Sequence, residues 1–352
     1  MNHAEIITLL GSDAEDLLNH TCAQLSVETI TAPSPDHVET VFSHSDRSQK
    51  TQVNLSRLYG HGNLGGSGYL SIFPVDQGME HTAAYSFHTN PAFFDPDSIV
   101  KFAVEGGCSA VASTSGALAL VSERYAREIP FIVKLNHSEH LTLPEQTNQI
   151  PFASVQKAYD MGAAGVGATI YFGSELSHRQ IEEVAGAFEA AHRLGMFTIL
   201  WCYPRNSEYK KGATDHSQSV DITSQACHIG VTMGADIIKQ KLPKETLGFP
   251  DLKFSKYNKE MYADLLTPHP IDLVRYQVAH CYAGKISLIN SGGESKGADD
   301  ISEAVRTAII NKRGGGAGLI VGRKLFKRPW NEGLEILRAV QAVYLDDQIT
   351  VA

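Results

Sequence analysis

Two lysines close an apolar run in the segment Gly234-Ala235-Asp236-Ile237-Ile238-Lys239-Gln240-Lys241. An ammonium group is almost never buried unless it is paired, so a lysine inside a buried strand is a chemical signal. Kept from water, such a side chain loses affinity for its proton and becomes a nucleophilic amine. Lys241 shares the face of Lys239 by the period of two, and a second cation there lowers that affinity further. An amine of this kind condenses with a carbonyl carbon to a covalent imine and needs no cofactor. The competing reading ends the strand before Lys239 and leaves both lysines solvated in a loop.

Other residues could serve the same chemistry. Trp201 and Tyr203 alternate on one face of an apolar run. The phenol of Tyr203 can move a proton, although an aromatic pair packed in a core is the commoner outcome. Asp76 follows another apolar run and precedes Gly78. It is placed to orient or charge-balance the lysine, or to be an ordinary turn aspartate. Ser291-Gly292-Gly293 and Gly322-Arg323 combine close backbone approach with a guanidinium, which suits a phosphate; the alternative is two plain glycine turns with Arg323 on the surface. A metal centre would need three well-placed ligands and an open position. His81, His137 and His140 are near polar segment ends, yet there is no HExxH and no Cys/His cluster. These histidines read as surface or hydrogen-bonding residues.

The elements that must hold these residues alternate regularly. Eight strand-like runs are expected at Tyr69–Asp76, Cys108–Thr114, Pro130–Asn136, Gly165–Tyr171, Phe197–Pro204, Ala235–Lys241, Ile286–Ser291 and Ala317–Arg323. They are β-branched and nearly continuous in apolar character, as strands covered on both faces must be. Helical spacing fills the intervals, for example over Gln180–Leu194, Ile271–Tyr282 and Ile301–Asn311. Eight such alternations predict an α/β fold of the (β/α)8 TIM-barrel type, with an open doubly wound sheet as the alternative. The polar residues singled out all fall at the carboxyl ends of these strands, where barrels of this kind carry their sites, and the phosphate signals fall after strands seven and eight. The expected division is an N-terminal extension (1–69, helix plus loop), a barrel (70–345) and a C-terminal tail (346–352).

Within the extension, Ser12-Asp13-Ala14-Glu15 has the spacing of a helix-opening capping box. The hexapeptide Gly60-His61-Gly62-Asn63-Leu64-Gly65 matches G-x-G-x-x-G but precedes a strand rather than following one, so a dinucleotide site is rejected; it reads as a flexible loop leading into the barrel. The 352 residues carry a formal net charge of −9, which gives no general attraction for nucleic acid or an anionic membrane. Five cysteines without a CxxC pair suit a reduced compartment. The N-terminus lacks the basic start of a signal peptide, and no run approaches the ~18 apolar residues of a membrane span. The expected location is the cytoplasm.

Taken together, Pro74-Val75-Asp76-Gln77-Gly78-Met79-Glu80-His81, Lys134-Leu135-Asn136-His137, Gly167–Ser174, Trp201-x-Tyr203-Pro204-Arg205, Gly234–Lys241, Asn290–Gly293 and Ile320–Lys324 resemble the archaeal-type (DhnA-like) class I fructose-bisphosphate aldolases, in their bacterial branch. The resemblance spans nearly the whole chain. It implies reversible cleavage of fructose 1,6-bisphosphate in glycolysis and gluconeogenesis, by a lyase without a metal. It further implies Lys239 as Schiff-base lysine, Tyr203 as acid/base, Trp201 beside it in the substrate pocket and Asp76 as the first-strand carboxylate. Ser291, Gly292, Gly293, Gly322 and Arg323 would hold a substrate phosphate, and the expected assembly is a decamer-like homo-oligomer. Asn206 departs from the glycine that many relatives carry there. Three alternatives stay open: a transaldolase-like synthase, a thiolase on the same barrel, and a non-catalytic sugar-phosphate binder.

Overall fold

The computed structural model describes residues 1–143, 147–293, 297 and 299–352. Eight parallel strands close into a barrel: β1 (Leu70–Val75), β2 (Ala110–Thr114), β3 (Phe131–Lys134), β4 (Gly165–Phe172), β5 (Phe197–Pro204), β6 (Ile237–Gln240), β7 (Ser287–Ser291) and β8 (Gly318–Ile320). Each pairs with its sequence neighbours, and β8 returns to β1 through Leu70 and Gly318. The expected (β/α)8 barrel is therefore the fold, and the open sheet is excluded. Every strand has its core side chains covered on both faces, as parallel barrels require.

Helices span Ser177–Leu194, Pro270–His280 and Asp300–Gly314; the first and third cover their expected segments, and the second stops two residues short of Tyr282, which has a positive φ of +52°. The first ends on Gly195, whose φ of +86° gives the left-handed turn that releases the chain toward β5.

Two expectations for the extension are corrected. The capping box sits at Asn2, whose side chain accepts from the Glu5 amide while Glu5 accepts from the Asn2 amide; Ser12–Glu15 leads into a helix over Ala14–Asn19 with no side-chain cap. Asn2-x-x-Glu5 has the same spacing but lies earlier in the chain, and it begins the helix His3–Leu10. The loop at Gly60–Gly65 is tied down rather than flexible. The Asn63 amide donates to Gly107 O at 2.8 Å, its side chain donates to Gln341 Oε1 at 2.8 Å, and the Gly66 amide donates to Tyr59 O at 2.9 Å.

The extension crosses the amino ends of the strands. From the helix Gln49–Tyr59, Asn54 donates to Gly195 O at 2.8 Å, and the Tyr59 hydroxyl meets Ser287 at the start of β7. Arg47 donates to Asp236, just before β6, at 2.6 Å. Leu55 and Leu58 are fully buried beneath it. This face lies opposite the carboxyl ends, where the candidate site is found.

Candidate active site

Strand β6 runs through Lys239 and stops after Gln240, with Lys239 in register with Trp201 of β5 and Ile289 of β7. The reading that ended this strand before Lys239 is thereby excluded. The Lys239 side chain is 5% exposed, and its Nζ donates to the Tyr203 hydroxyl. Burial is the main cause that takes its proton affinity well below the ordinary lysine range; Lys241, Arg323 and Lys134 push the same way, and Asp76 opposes them. The surroundings therefore push this side chain toward the neutral, nucleophilic amine.

A second buried lysine has the opposite state. Lys134 ends β3, 2% exposed, with Nζ 2.8 Å from Asp76 Oδ2 and 2.8 Å from Glu80 Oε1. Burial alone would strip its proton, but the two carboxylates outweigh it and hold Lys134 above the ordinary lysine range. Glu80 responds in kind. Burial would raise its carboxyl, and Lys134 with His137 overcomes this and keeps it well below the usual carboxylate range. Asp76 was expected to pair with the nucleophilic lysine; its ion pair is with Lys134, 58 residues away along the chain.

Asp76, Trp201, Tyr203, Lys239, Ser291, Gly293, Gly322 and Arg323 line one cavity at the carboxyl ends of the strands. Gly292 is not in its lining; it lies against Val321, where a Cβ would meet the side chain at 2.9 Å. The same cavity holds residues that sequence reasoning did not assign: Glu80, Tyr171, Arg205 and His81. Arg205 lies 5.8 Å from the Tyr171 ring centroid and 5.9 Å from that of Tyr203, and Lys241 is also 5.9 Å from Tyr203. An alternating run of ring, ring and guanidinium along β5 was the available signal for Arg205. Asn206 keeps an ordinary extended backbone, donates to Gly173 O at 2.8 Å and caps the next turn through Glu208 N, so no glycine is needed there.

His137 is buried rather than on the surface; among the described residues neither ring nitrogen has a hydrogen-bond partner, and its Nδ1 is 3.5 Å from Glu80 Oε1. His140 is exposed. Asp76, Glu80 and His137 come close enough together to hold a metal ion. The Lys134 ammonium, 2.8 Å from both carboxylates, already stands where such a cation would sit.

With Lys239 neutral, the cavity sets Lys134, Arg205, Lys241 and Arg323 against two carboxylates, Asp76 and Glu80, among the described residues. A chain of net charge −9 thus builds a positive field locally, around a carbonyl-reactive amine. A closed barrel with such a mouth defines an aldolase-type enzyme. The chain belongs to the DeoC/LacD family of aldolases, whose family description matches residues 70–328, and it is therefore a lyase.

Over 99% of each chain it is 52% identical to a probable fructose-bisphosphate aldolase class 1 of Chlamydia muridarum. To the fructose-bisphosphate aldolase class 1 of Halobacterium salinarum it is 28% identical, over 74% of this chain and 85% of that one. Among solved structures it shares the fold of an archaeal fructose-1,6-bisphosphate aldolase with its catalytic Lys bound to the carbinolamine intermediate, at a TM-score of 0.64 and 24% identity over 83% of this chain and 99% of that one. The fold also matches the fructose-bisphosphate aldolase from Slackia heliotrinireducens, with a TM-score of 0.71 and 20% identity over 88% of this chain and 91% of that one.

Proposed function

We propose that this chain is a class I fructose-bisphosphate aldolase, cleaving fructose 1,6-bisphosphate reversibly to dihydroxyacetone phosphate and glyceraldehyde 3-phosphate through an imine on Lys239. The observation that carries the reading is the pair of buried lysines in one cavity, Lys134 held as a cation between two carboxylates and Lys239 against the Tyr203 hydroxyl, pushed toward the amine by burial. The Nζ lone pair adds to the ketose C2. Tyr203 gives a proton to the departing oxygen, water leaves, and the nitrogen becomes a cationic iminium. Loss of the C4 hydroxyl proton sends the C3–C4 electron pair to that nitrogen, and the aldehyde fragment departs. Protonation at C3 and hydrolysis return the amine and free dihydroxyacetone phosphate.

Lys241 and Arg205 lie beside the Tyr203 ring and stabilise the negative charge it takes on when it gives up a proton. Trp201 walls the pocket. Ser291, Gly293, Gly322 and Arg323 hold the phosphate next to C1, with Gly292, turned toward Val321 outside the cavity, dropped from the set, while Arg205 and Lys241 supply positive charge for the other. A substrate with two phosphates matches this local surplus of cations better than a singly charged one.

Borohydride reduction in the presence of dihydroxyacetone phosphate tests the imine. The expected result is a stable mass adduct on the peptide bearing Lys239, absent from Lys239→Met, which also loses turnover. A Lys239→Met enzyme that keeps a tenth of the activity would reassign the nucleophile, and activity lost in EDTA would bring a metal back. The same reading makes the protein a cytoplasmic, decamer-like homo-oligomer that meets small sugar phosphates rather than nucleic acid or membranes. Among the described residues no helix is long and apolar enough to cross a membrane. Light scattering on the purified protein checks the assembly, and a monomeric mass would remove it from the proposal.

A further inference from the structure

Glu80 reaches the cavity by way of a tight turn. After β1, Gly78 adopts a φ of +97°, its amide donates to His81 O at 2.7 Å, and the amides of Met79 and Glu80 both donate back to Asp76 O, at 3.2 and 3.3 Å. The fold-back puts two carboxylates on one ammonium: Lys134 Nζ is 2.8 Å from each, and 5.6 Å from the Trp201 ring centroid. His137 backs Glu80 from behind at 3.5 Å, its own ring packed edge-on against Phe152. One carboxylate would neutralise Lys134. The second leaves a surplus.

We propose that Glu80 is a positioning residue for the cleavage: with Asp76 it fixes the Lys134 ammonium in the cavity wall, and the trio of two carboxylates and one ammonium presents one net negative charge to Lys239. The inference rests on the Schiff-base reading and goes beyond it. An iminium at Lys239 stays an electron sink only while it keeps its N–H proton, and a nearby negative charge favours that protonated form. Its neighbours are mostly cationic or neutral: Lys241 just past β6, Tyr203 and the buried Cys202 on β5 with Arg205 just past it, Tyr171 on β4, Lys134 and His137 near β3, His81 on the turn, and Arg323 after β8. Asp76 and Glu80 are the carboxylates that line the cavity among the described residues. Because Asp76 by itself only balances Lys134, the excess that favours the iminium is owed to Glu80.

The test compares wild type with Glu80→Gln and Glu80→Asp in the full-length enzyme, using fructose 1,6-bisphosphate, with melting curves to confirm folding. Glu80→Gln is expected to lower kcat about tenfold or more, in the range seen on removing one preorganised electrostatic group. Its KM should change little, since the phosphates are held elsewhere. The acid limb of its kcat/KM profile should move to lower pH, because with one negative charge fewer Lys239 gives up its proton more readily. Glu80→Asp keeps the charge but falls short of Lys134, so its acid limb should stay at the wild-type position while kcat falls. A Glu80→Gln enzyme with the wild-type limb overturns the proposal, whatever its kcat. Should that variant fail to fold, Glu80→Asp decides: wild-type kcat overturns the proposal and a lowered kcat with an unmoved limb supports it. A wild-type enzyme that forms no borohydride adduct on Lys239 instead overturns the imine itself.

Discussion

Lys239 and Lys134 bring the same functional group into one cavity and hold it in opposite protonation states, and the difference lies in their partners. Lys134 has two carboxylates at 2.8 Å; Lys239 has a phenol and a ring of cations. The second arrangement is strained. The unfolded chain binds a proton at Lys239 up to the ordinary lysine range, while the folded chain releases it earlier, so unfolding takes up a proton over the pH range between the two. The fold is weakened there, and the penalty fades as pH rises through the ordinary lysine range. Lys239→Met is therefore expected to melt a few degrees above wild type at pH 7 while being inactive, with the gap narrowing near pH 10. Scanning calorimetry at the two pH values checks this, and a variant melting below wild type at pH 7 would contradict it. The sequence singled out Lys239 because a lysine closing a run such as Ala-Asp-Ile-Ile has two readings, buried in the strand or solvated just past it, and the structure shows the first. Glu80 was not singled out. It lies in a turn, where an acid is unremarkable, and its meaning comes from a lysine 54 residues away.

Among the elements, the barrel strands were readable because continuous aliphatic and β-branched runs suit few other environments. Their ends were not, since the polar residues that follow each strand carry no periodicity. The stretch after β3 shows the difficulty. The expected third strand ran to Asn136, whereas β3 stops at Lys134, and beyond it the Asn136 side chain donates to Thr169 O at 2.8 Å and accepts from Thr169 N at 2.7 Å, extending the pairing with β4 through an amide. That turn carries His137 inward toward Glu80. On β4 itself, Gly167 makes room for Trp201: an added Cβ would lie 2.5 Å from the indole. Gly167→Ala should cost about 1–3 kcal/mol through overpacking and lower kcat, because the displaced indole flanks Lys134. Urea unfolding and steady-state rates measure the two effects. A variant as stable and as active as wild type would show that the indole has slack.

At the scale of the whole molecule, the two ends of the chain meet around buried cations. Arg275 of the helix Pro270–His280 is fully buried and donates to the carbonyls of Gly314, Leu25, Arg313 and Ala352, joining the extension to the tail. Lys312 donates to the carbonyls of Val343, Tyr344 and Asp346. Arg275→Met would leave four carbonyls short of a donor, with an expected loss of roughly 2–5 kcal/mol. The tail residues 346–352 should also be cut sooner by proteases, and limited proteolysis with mass spectrometry reads that directly. A tail as resistant as in wild type would assign its anchoring elsewhere. None of this was visible beforehand, since carbonyl acceptors belong to every residue and leave no mark on composition. The position of the site also has a kinetic consequence. With residues 49–59 laid across the amino ends of the strands, the cavity that holds Lys239 lies at the opposite, carboxyl-end face. On the imine reading the triose stays bound to Lys239 after the bond breaks, so the untethered aldehyde leaves first in cleavage and enters last in synthesis, past the cations that ring the mouth.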